Sequence, residues 1–143
     1  MPTVYLLDTG PLGLLSHRKP AQATPIRNWL LQEKTAGAAF YISEVADYEV
    51  RRELTRMIRS GKLPVSRLQR LTAFCAYLPV STWAWRKAAE FWADARAQGL
   101  PTSSPDALDA DVLVAAQAAE VNAKVVTNSS AHIARWVPVH ISP

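Results

Sequence analysis

The sequence predicts an α/β fold, a three-layer α/β/α sandwich in which a parallel sheet lies between two layers of helices. Short apolar runs of four or five residues alternate along the chain with longer segments whose apolar residues recur at helical spacing. Turn residues and helix caps separate the two kinds of segment. Most strands therefore return to the sheet by way of a helix, an arrangement that makes neighbouring strands parallel.

The apolar runs predict five strands, at residues 4–7, 38–42, 77–80, 124–127 and 137–141. Helical spacing predicts helices over residues 12–15, 21–33, 44–59, 65–74, 82–98 and 106–120. Local signals support the boundaries, because Ser43 is a good N-cap, Gly61 follows the third helix and Gly99 follows the fifth.

Length and composition indicate one globular domain spanning residues 1–143. No stretch reaches the roughly 18 uninterrupted apolar residues of a membrane span, and the N-terminus lacks the basic region of a secretory signal. The single cysteine, Cys75, excludes an intrachain disulfide. We therefore expect a cytoplasmic protein. The sequence has no Gly-rich phosphate loop, no Cys/His zinc pattern and no nucleophile elbow.

The net charge of +4 is unevenly distributed. Residues 51–70 hold seven basic side chains and one acid, a balance of +6, which leaves −2 for the rest of the chain. Such a block suits a polyanion or an acidic partner protein. The alternative is a solvated helix face with no partner.

Three carboxylates stand at the ends or flanks of separate α/β units. Asp8 directly follows the first strand, at the edge where open α/β sheets bind ligands, although it is equally suited to cap the next helix. Glu49 projects away from the apolar stripe of its helix, where its alternative role is an ion pair with Arg52. Asp111 lies among alanines on a mostly apolar face, so its charge requires a metal, an arginine or a backbone amide.

If these carboxylates converge, they repel one another, and a divalent cation with hard oxygen ligands, such as Mg²⁺ or Mn²⁺, relieves the repulsion. Such a site binds phosphates and activates water, the requirements of metal-dependent phosphodiester hydrolysis. Asp109 lies about 160° from Asp111 on a regular helix, so both reach one metal only if the helix begins late or bends.

The sequence resembles the PIN domains and, among them, the VapC-like ribonuclease toxins of type II toxin–antitoxin pairs. The resemblance rests on four blocks in order: LLDTGPL at 6–12, IS at 42–43 with YEVRREL at 48–54, DADVLVAA at 109–116, and VVTN at 125–128. It implies a five-stranded parallel sheet and a Mg²⁺ site whose first three acidic ligands are Asp8, Glu49 and Asp111. It also implies an RNA substrate, a cognate antitoxin and a homodimer.

The chain departs from the family pattern at two positions. Ser129 stands where a fourth acid is expected, and Gly10 stands where the family often has Asn. Asp109 could supply the missing ligand, with a supporting hydrogen bond from Thr127, Asn128 or Ser129. The alternative function is a catalytically weak or inactive PIN-like module that binds nucleic acid or protein. A flap-processing DNA nuclease is less favoured, because the chain has no insertion for branched duplexes.

The leading hypothesis is a Mg²⁺-dependent endoribonuclease toxin. We expect Arg51, Arg52, Arg56 and Arg59 to bind the RNA backbone, and single-stranded loops to be the preferred target. Trp85 and Trp92 share a stripe with alanines, so we expect them mainly in the core, with base stacking or a dimer contact as the alternative. Exposed aromatic side chains at Trp29, Trp83 and Trp136 would favour a dimer contact.

Overall fold

A computed structural model describes residues 2–16, 19–70, 75–99, 105–128 and 132–143. Its strands are β1 (Val4–Leu7), β2 (Ala39–Ser43), β3 (Ala76–Leu78), β4 (Lys124–Thr127) and β5 (Val139–Ile141). They form one sheet in the order β3-β2-β1-β4-β5, and every neighbouring pair is parallel. The predicted parallel α/β architecture is confirmed, with β1 at the centre of the sheet.

The helices that connect the strands are α1 (Thr9–Leu15), α2 (Pro20–Thr35), α3 (Glu44–Arg59), α4 (Ser66–Arg70), α5 (Thr82–Ala97) and α6 (Pro105–Val121), followed by a 3₁₀ turn (Ile133–Arg135). Most bounds agree with the sequence to within two residues. The first helix begins three residues earlier than predicted, and residues 71–74 of the predicted fourth helix lie outside the described residues. No helix in the described part of the chain is long and apolar enough to cross a membrane.

The sheet is buried on both faces by helices. Alternate side chains of a strand point to opposite faces, so each strand serves two layers. On one face Leu6 and Val125 pack in a cluster with Val114 of α6. On the other face Leu7 packs in a cluster with Leu30 of α2. The three-layer sandwich follows directly from this alternation.

Gln117 of α6 is fully buried and ties three elements together. Its Oε1 accepts a hydrogen bond of 2.7 Å from Ser43 Oγ, at the end of β2. Its Nε2 donates a hydrogen bond of 2.7 Å to the carbonyl oxygen of Leu78, at the end of β3. Ser43 also accepts from the backbone N–H of Ala46, so it is the N-cap of α3 that the sequence predicts. These bonds fix α6 at the carboxyl ends of β2 and β3.

The expectation that Trp85 and Trp92 belong to the core is wrong. Trp83, Trp85 and Trp92 are 47%, 57% and 40% exposed. The buried face of α5 consists of alanines instead, Ala84, Ala88 and Ala95, which pack against α6. A helix that approaches another this closely leaves no room for indole rings between the two helices, so the larger side chains lie beside the contact and are partly exposed.

The other two tryptophans have partners within the chain. Trp29 stacks on His140 with 4.6 Å between ring centroids and meets Tyr5 edge-to-face. Trp136 stacks on Phe91 at 5.4 Å. Of the three aromatic residues considered for a dimer contact, Trp83 is therefore the exposed one, and Trp29 and Trp136 extend the core.

We expect Gln117→Ala to lower the free energy of unfolding by about 3 kcal/mol, because it creates a cavity and leaves the Ser43 hydroxyl and the Leu78 carbonyl without their partner. Urea unfolding followed by circular dichroism measures this change. Gln22→Ala, at an exposed position of α2, is the matched control and should stay within about 0.5 kcal/mol of the wild type. Equal stabilities for the two variants would contradict the assigned role of Gln117.

Candidate active site

Asp8 lies at the carboxyl end of β1, beside the end of β4. The parallel register pairs Leu7 with Val126, and the backbone N–H of Asp8 donates to the carbonyl of Val126 at 3.0 Å. Thr127 Oγ1 donates a hydrogen bond of 3.0 Å to Asp8 Oδ2. Asp8 occupies the N-cap position of α1, but its side chain makes no capping hydrogen bond there. The carboxylate is thus held by the neighbouring strand and faces the edge of the sheet.

Glu49 is brought to the same edge by α3. Its Oε1 accepts a hydrogen bond of 2.7 Å from Thr9 Oγ1, the first residue of α1. Arg52 Nη2 lies 3.8 Å from Glu49 Oε2, so the ion pair considered from the sequence is also present. The pair is long and the arginine is mostly exposed, which makes it weak. Thr9 directly follows Asp8, so its hydrogen bond links Glu49 to the Asp8 segment. The sequence did not predict this role.

The pKa of Asp111 depends on the charges of both other carboxylates. Its pKa is raised to about 6, mainly by burial and further by the negative charges of Asp8 and Glu49, against an opposing effect of Arg135. Burial also raises the pKa of Asp8, and the charge of Glu49 adds to this, while hydrogen bonds from the Thr9 backbone and the Thr127 hydroxyl act in the opposite direction. The three acids therefore lie within electrostatic reach of one another.

The chemistry of this donor set suits a hard divalent cation, because all three groups offer carboxylate oxygens and their negative charges act on one another. Within the described residues, however, no three His, Cys, Asp or Glu side chains are close enough to hold a metal ion as they stand. Asp8, Glu49 and Asp111 could hold such an ion only after their side chains move closer together.

Asp109 is not placed beside the other acids. It is exposed and lines a groove of about 540 Å³ between α5 and α6, together with Trp85 and Trp92. The regular helix carries it to the other side of α6 from Asp111, as the angle of about 160° requires. The suggestion that Asp109 completes the metal site is therefore corrected. The suggested role of Ser129 lies outside the described residues.

The arginines of α3 are largely paired with acids of the same helix. Arg51 makes two hydrogen bonds of 3.0 Å to Asp47, and Arg56 pairs with Glu53. Over its whole length α3 carries four acids and four arginines and has no net charge. Arg59, near the end of α3, is exposed, and no carboxylate in the described residues forms an ion pair with it. The four arginines are thus not equivalent, and the basic surface begins at Arg59.

An apolar groove of about 380 Å³ adjoins Glu49. It runs between α1 and α3, and its lining includes Val50, Leu54, Met57 and Leu63. The groove therefore offers apolar contacts next to the acidic edge of the sheet.

A family model described as PIN domain matches residues 5–133. The chain belongs to the PIN domain family. The match spans β1 to the 3₁₀ turn and contains Asp8, Glu49 and Asp111. The resemblance stated from the sequence is confirmed at this level. Among curated proteins, none matches the sequence significantly.

Solved structures share the fold of this PIN domain. A chain of VapBC2 from Rickettsia felis, bound to a promoter DNA fragment, has a TM-score of 0.75 and 18% identity and covers 96% of this chain and 98% of its own. FitAcB from Neisseria gonorrhoeae gives a TM-score of 0.66 at 19% identity, with 96% of each chain covered. DNA-bound VapBC from Salmonella typhimurium gives 0.64 at 19% identity, with 98% of each covered.

We expect the metal-free protein to lose stability as the pH rises from about 4 through 6, because the pKa of Asp111 is higher in the folded chain than in the unfolded chain. Asp111→Asn removes this titration and the repulsion. Its melting temperature in EDTA should exceed that of the wild type at pH 7.5, with a smaller change between pH 4.5 and 7.

Differential scanning fluorimetry over a pH series measures this difference. Asp109→Asn, an exposed position on the same helix, is the control and should follow the wild-type curve. A melting temperature for Asp111→Asn at or below that of the wild type at pH 7.5 would show that Asp111 is not repelled by its neighbours.

Proposed function

We propose that this PIN domain is a metal-dependent endoribonuclease, the toxin of a type II toxin–antitoxin pair that acts in the cytoplasm. The observation that carries the proposal is the mutual charge effect of Asp8, Glu49 and Asp111 at the carboxyl edge of the sheet. Acids brought together from three separate elements repel one another and destabilise the fold, so their placement favours a functional role. A cation that binds phosphate is the use best matched to their chemistry.

In this mechanism Asp8, Glu49 and Asp111 would hold Mg²⁺ or Mn²⁺, and the bound ion would supply the activation of water and the stabilisation of negative charge on the phosphate. Thr127 holds Asp8 by its hydrogen bond and so limits the rotation of the carboxylate. Thr9 holds Glu49 in the same way from the start of α1. These hydroxyl groups preorganise the ligands, and Asp111 must be ionised to take part.

The proposed substrate is RNA, bound through its phosphates. Arg59 and Lys62 are exposed where α3 ends and supply positive charge for the backbone. Arg51 and Arg56, held by Asp47 and Glu53, contribute less because their charges are already balanced. Single-stranded segments are the preferred target, since their bases can leave the stack.

The proposed partner is a cognate antitoxin. Structures that share the fold are of VapBC and FitAcB, which supports a two-component assembly for this chain as well. The apolar groove beside Glu49 gives an antitoxin segment a place to bind next to the acids. A homodimer is part of the same proposal.

We expect Asp8→Asn to lower the rate of RNA cleavage at least about 100-fold, because changes to groups that merely support metal ligands already cost about 10–100-fold. Incubation of purified protein with an RNA mixture, with Mg²⁺ and with EDTA, measures the rate. Growth arrest on expression should also disappear.

Asp94→Asn, an exposed acid on α5, is the control and should retain cleavage and growth arrest. Since Asp8→Asn relieves repulsion, its melting temperature in EDTA should not fall below that of the wild type, which excludes unfolding as the cause. Cleavage by Asp8→Asn at the wild-type rate would overturn the proposed mechanism.

The second candidate function is a binding module without catalysis. Two observations favour it: the described residues contain no preformed metal cluster, and Arg52 lies 3.8 Å from Glu49. A Mg²⁺ titration separates the two functions, because only a protein that binds the ion gains thermal stability from it. RNA binding without cleavage and without a Mg²⁺-dependent shift would favour the binding module.

We expect Arg59→Gln to reduce the salt dependence of RNA binding, measured in the Asp8→Asn background so that the RNA stays intact. Each phosphate contact to single-stranded RNA contributes about 0.7 to the slope of log affinity against log salt, so the slope should fall by about that amount. Arg56→Gln should change it less, because Glu53 already neutralises Arg56. Equal changes for the two variants would contradict the distinction drawn here.

A further inference from the structure

Gly10 is a helical residue without a backbone reason to be glycine. It lies in α1, and the described glycines with positive φ are Gly37, Gly61 and Gly99. Alanine favours a helix over glycine by about 1 kcal/mol, so the missing methyl group at this position requires another explanation.

The space beside Gly10 is occupied by the side-chain amide of Asn128. A Cβ atom on Gly10 would lie 2.3 Å from Asn128 Nδ2 and 2.6 Å from Asn128 Cγ, far inside van der Waals contact. At Gly13, one turn along the same helix, a Cβ atom would meet nothing within 4 Å. Of these two positions in α1, only Gly10 is crowded. All three atoms nearest to its added Cβ belong to Asn128.

Asn128 directly follows Thr127, which donates its hydroxyl hydrogen bond to Asp8. Two adjacent residues at the end of β4 thus touch the Asp8 segment, one at the carboxylate and one at the backbone two residues later. Asn128 as a whole is exposed, so its position is not explained by burial in the core. Its amide lies at the open acidic edge.

We propose that Asn128 is a positioning residue of the acidic site. Its amide, lying on the bare backbone of Gly10, fixes the end of β4 against the start of α1. Thr127 is thereby kept in place to orient Asp8 toward the other two carboxylates. The consequence for catalysis rests on the proposed nuclease function, whereas the contact itself does not.

Gly10→Ala tests this arrangement, because the added methyl group displaces the end of a flexible side chain without altering Asn128. Gly10→Ala and Asn128→Ala should each lower kcat for RNA about 10–100-fold, the usual cost of losing support for a metal ligand, with little change in KM. Each should also raise the Mg²⁺ concentration that gives half of the thermal shift. The double variant should be no worse than either single variant, because both remove the same contact.

Gly13→Ala is the matched control. We expect it to respond to Mg²⁺ like the wild type and to melt at a higher temperature, because alanine favours a helix over glycine. An exchange variant gives the rescue: Gly10→Asn combined with Asn128→Gly returns an amide to the same space and should exceed Asn128→Gly alone at least about tenfold in kcat. A merely structural role for Asn128 would not produce this recovery together with an unchanged KM.

The outcomes separate the two proposals. If the wild type cleaves RNA, two results overturn the positioning role. One is a kcat and Mg²⁺ response of Gly10→Ala equal to those of the wild type. The other is a loss of kcat in the double variant equal to the product of the two single losses. If the wild type does not cleave RNA, the nuclease function fails, and the contact is tested by melting temperature in EDTA. Gly10→Ala should then raise the melting temperature more in the Asn128→Ala background than in the wild type, and equal increments overturn the proposal.

Discussion

The repulsion among Asp8, Glu49 and Asp111 is the constraint around which the rest of the molecule is arranged. A parallel sheet brings the ends of β1 and β4 together, and the small buried side chains of α6 let that helix lie close to the sheet. Hydroxyl groups of Thr9 and Thr127 hold two of the acids in place. The apolar clusters on both faces of the sheet supply the stability that offsets this repulsion.

The strands and helices could be predicted because their signals are local. Ser43 caps α3 as expected, and the acid that ends β1 is visible in the sequence. The position of the tryptophans was not predictable from the same pattern. Helical spacing identifies the residues that share a face, but it does not tell which face is buried, and in α5 close packing selects alanine over indole.

The candidate site was predictable in part, because some of its signals are also local. Acids at strand ends mark an edge of the sheet, whereas the bonds that Thr9 and Thr127 make depend on which strands and helices become neighbours. The positive charge of α3 is overestimated from the sequence when it is counted from residue 51, because three acids lie earlier in the helix. Side-chain partners one turn away decide how much charge a surface presents.

The hydrogen bond between Thr127 and Asp8 joins residues 119 positions apart. During synthesis, β1 emerges long before the strand that must lie beside it, so an unfinished chain carries Asp8 without its partner. A long stretch of polypeptide has to be brought back before this edge can close, which makes its assembly a late event in folding. The acidic edge of the sheet is therefore complete only after β4 has been made and has paired with β1.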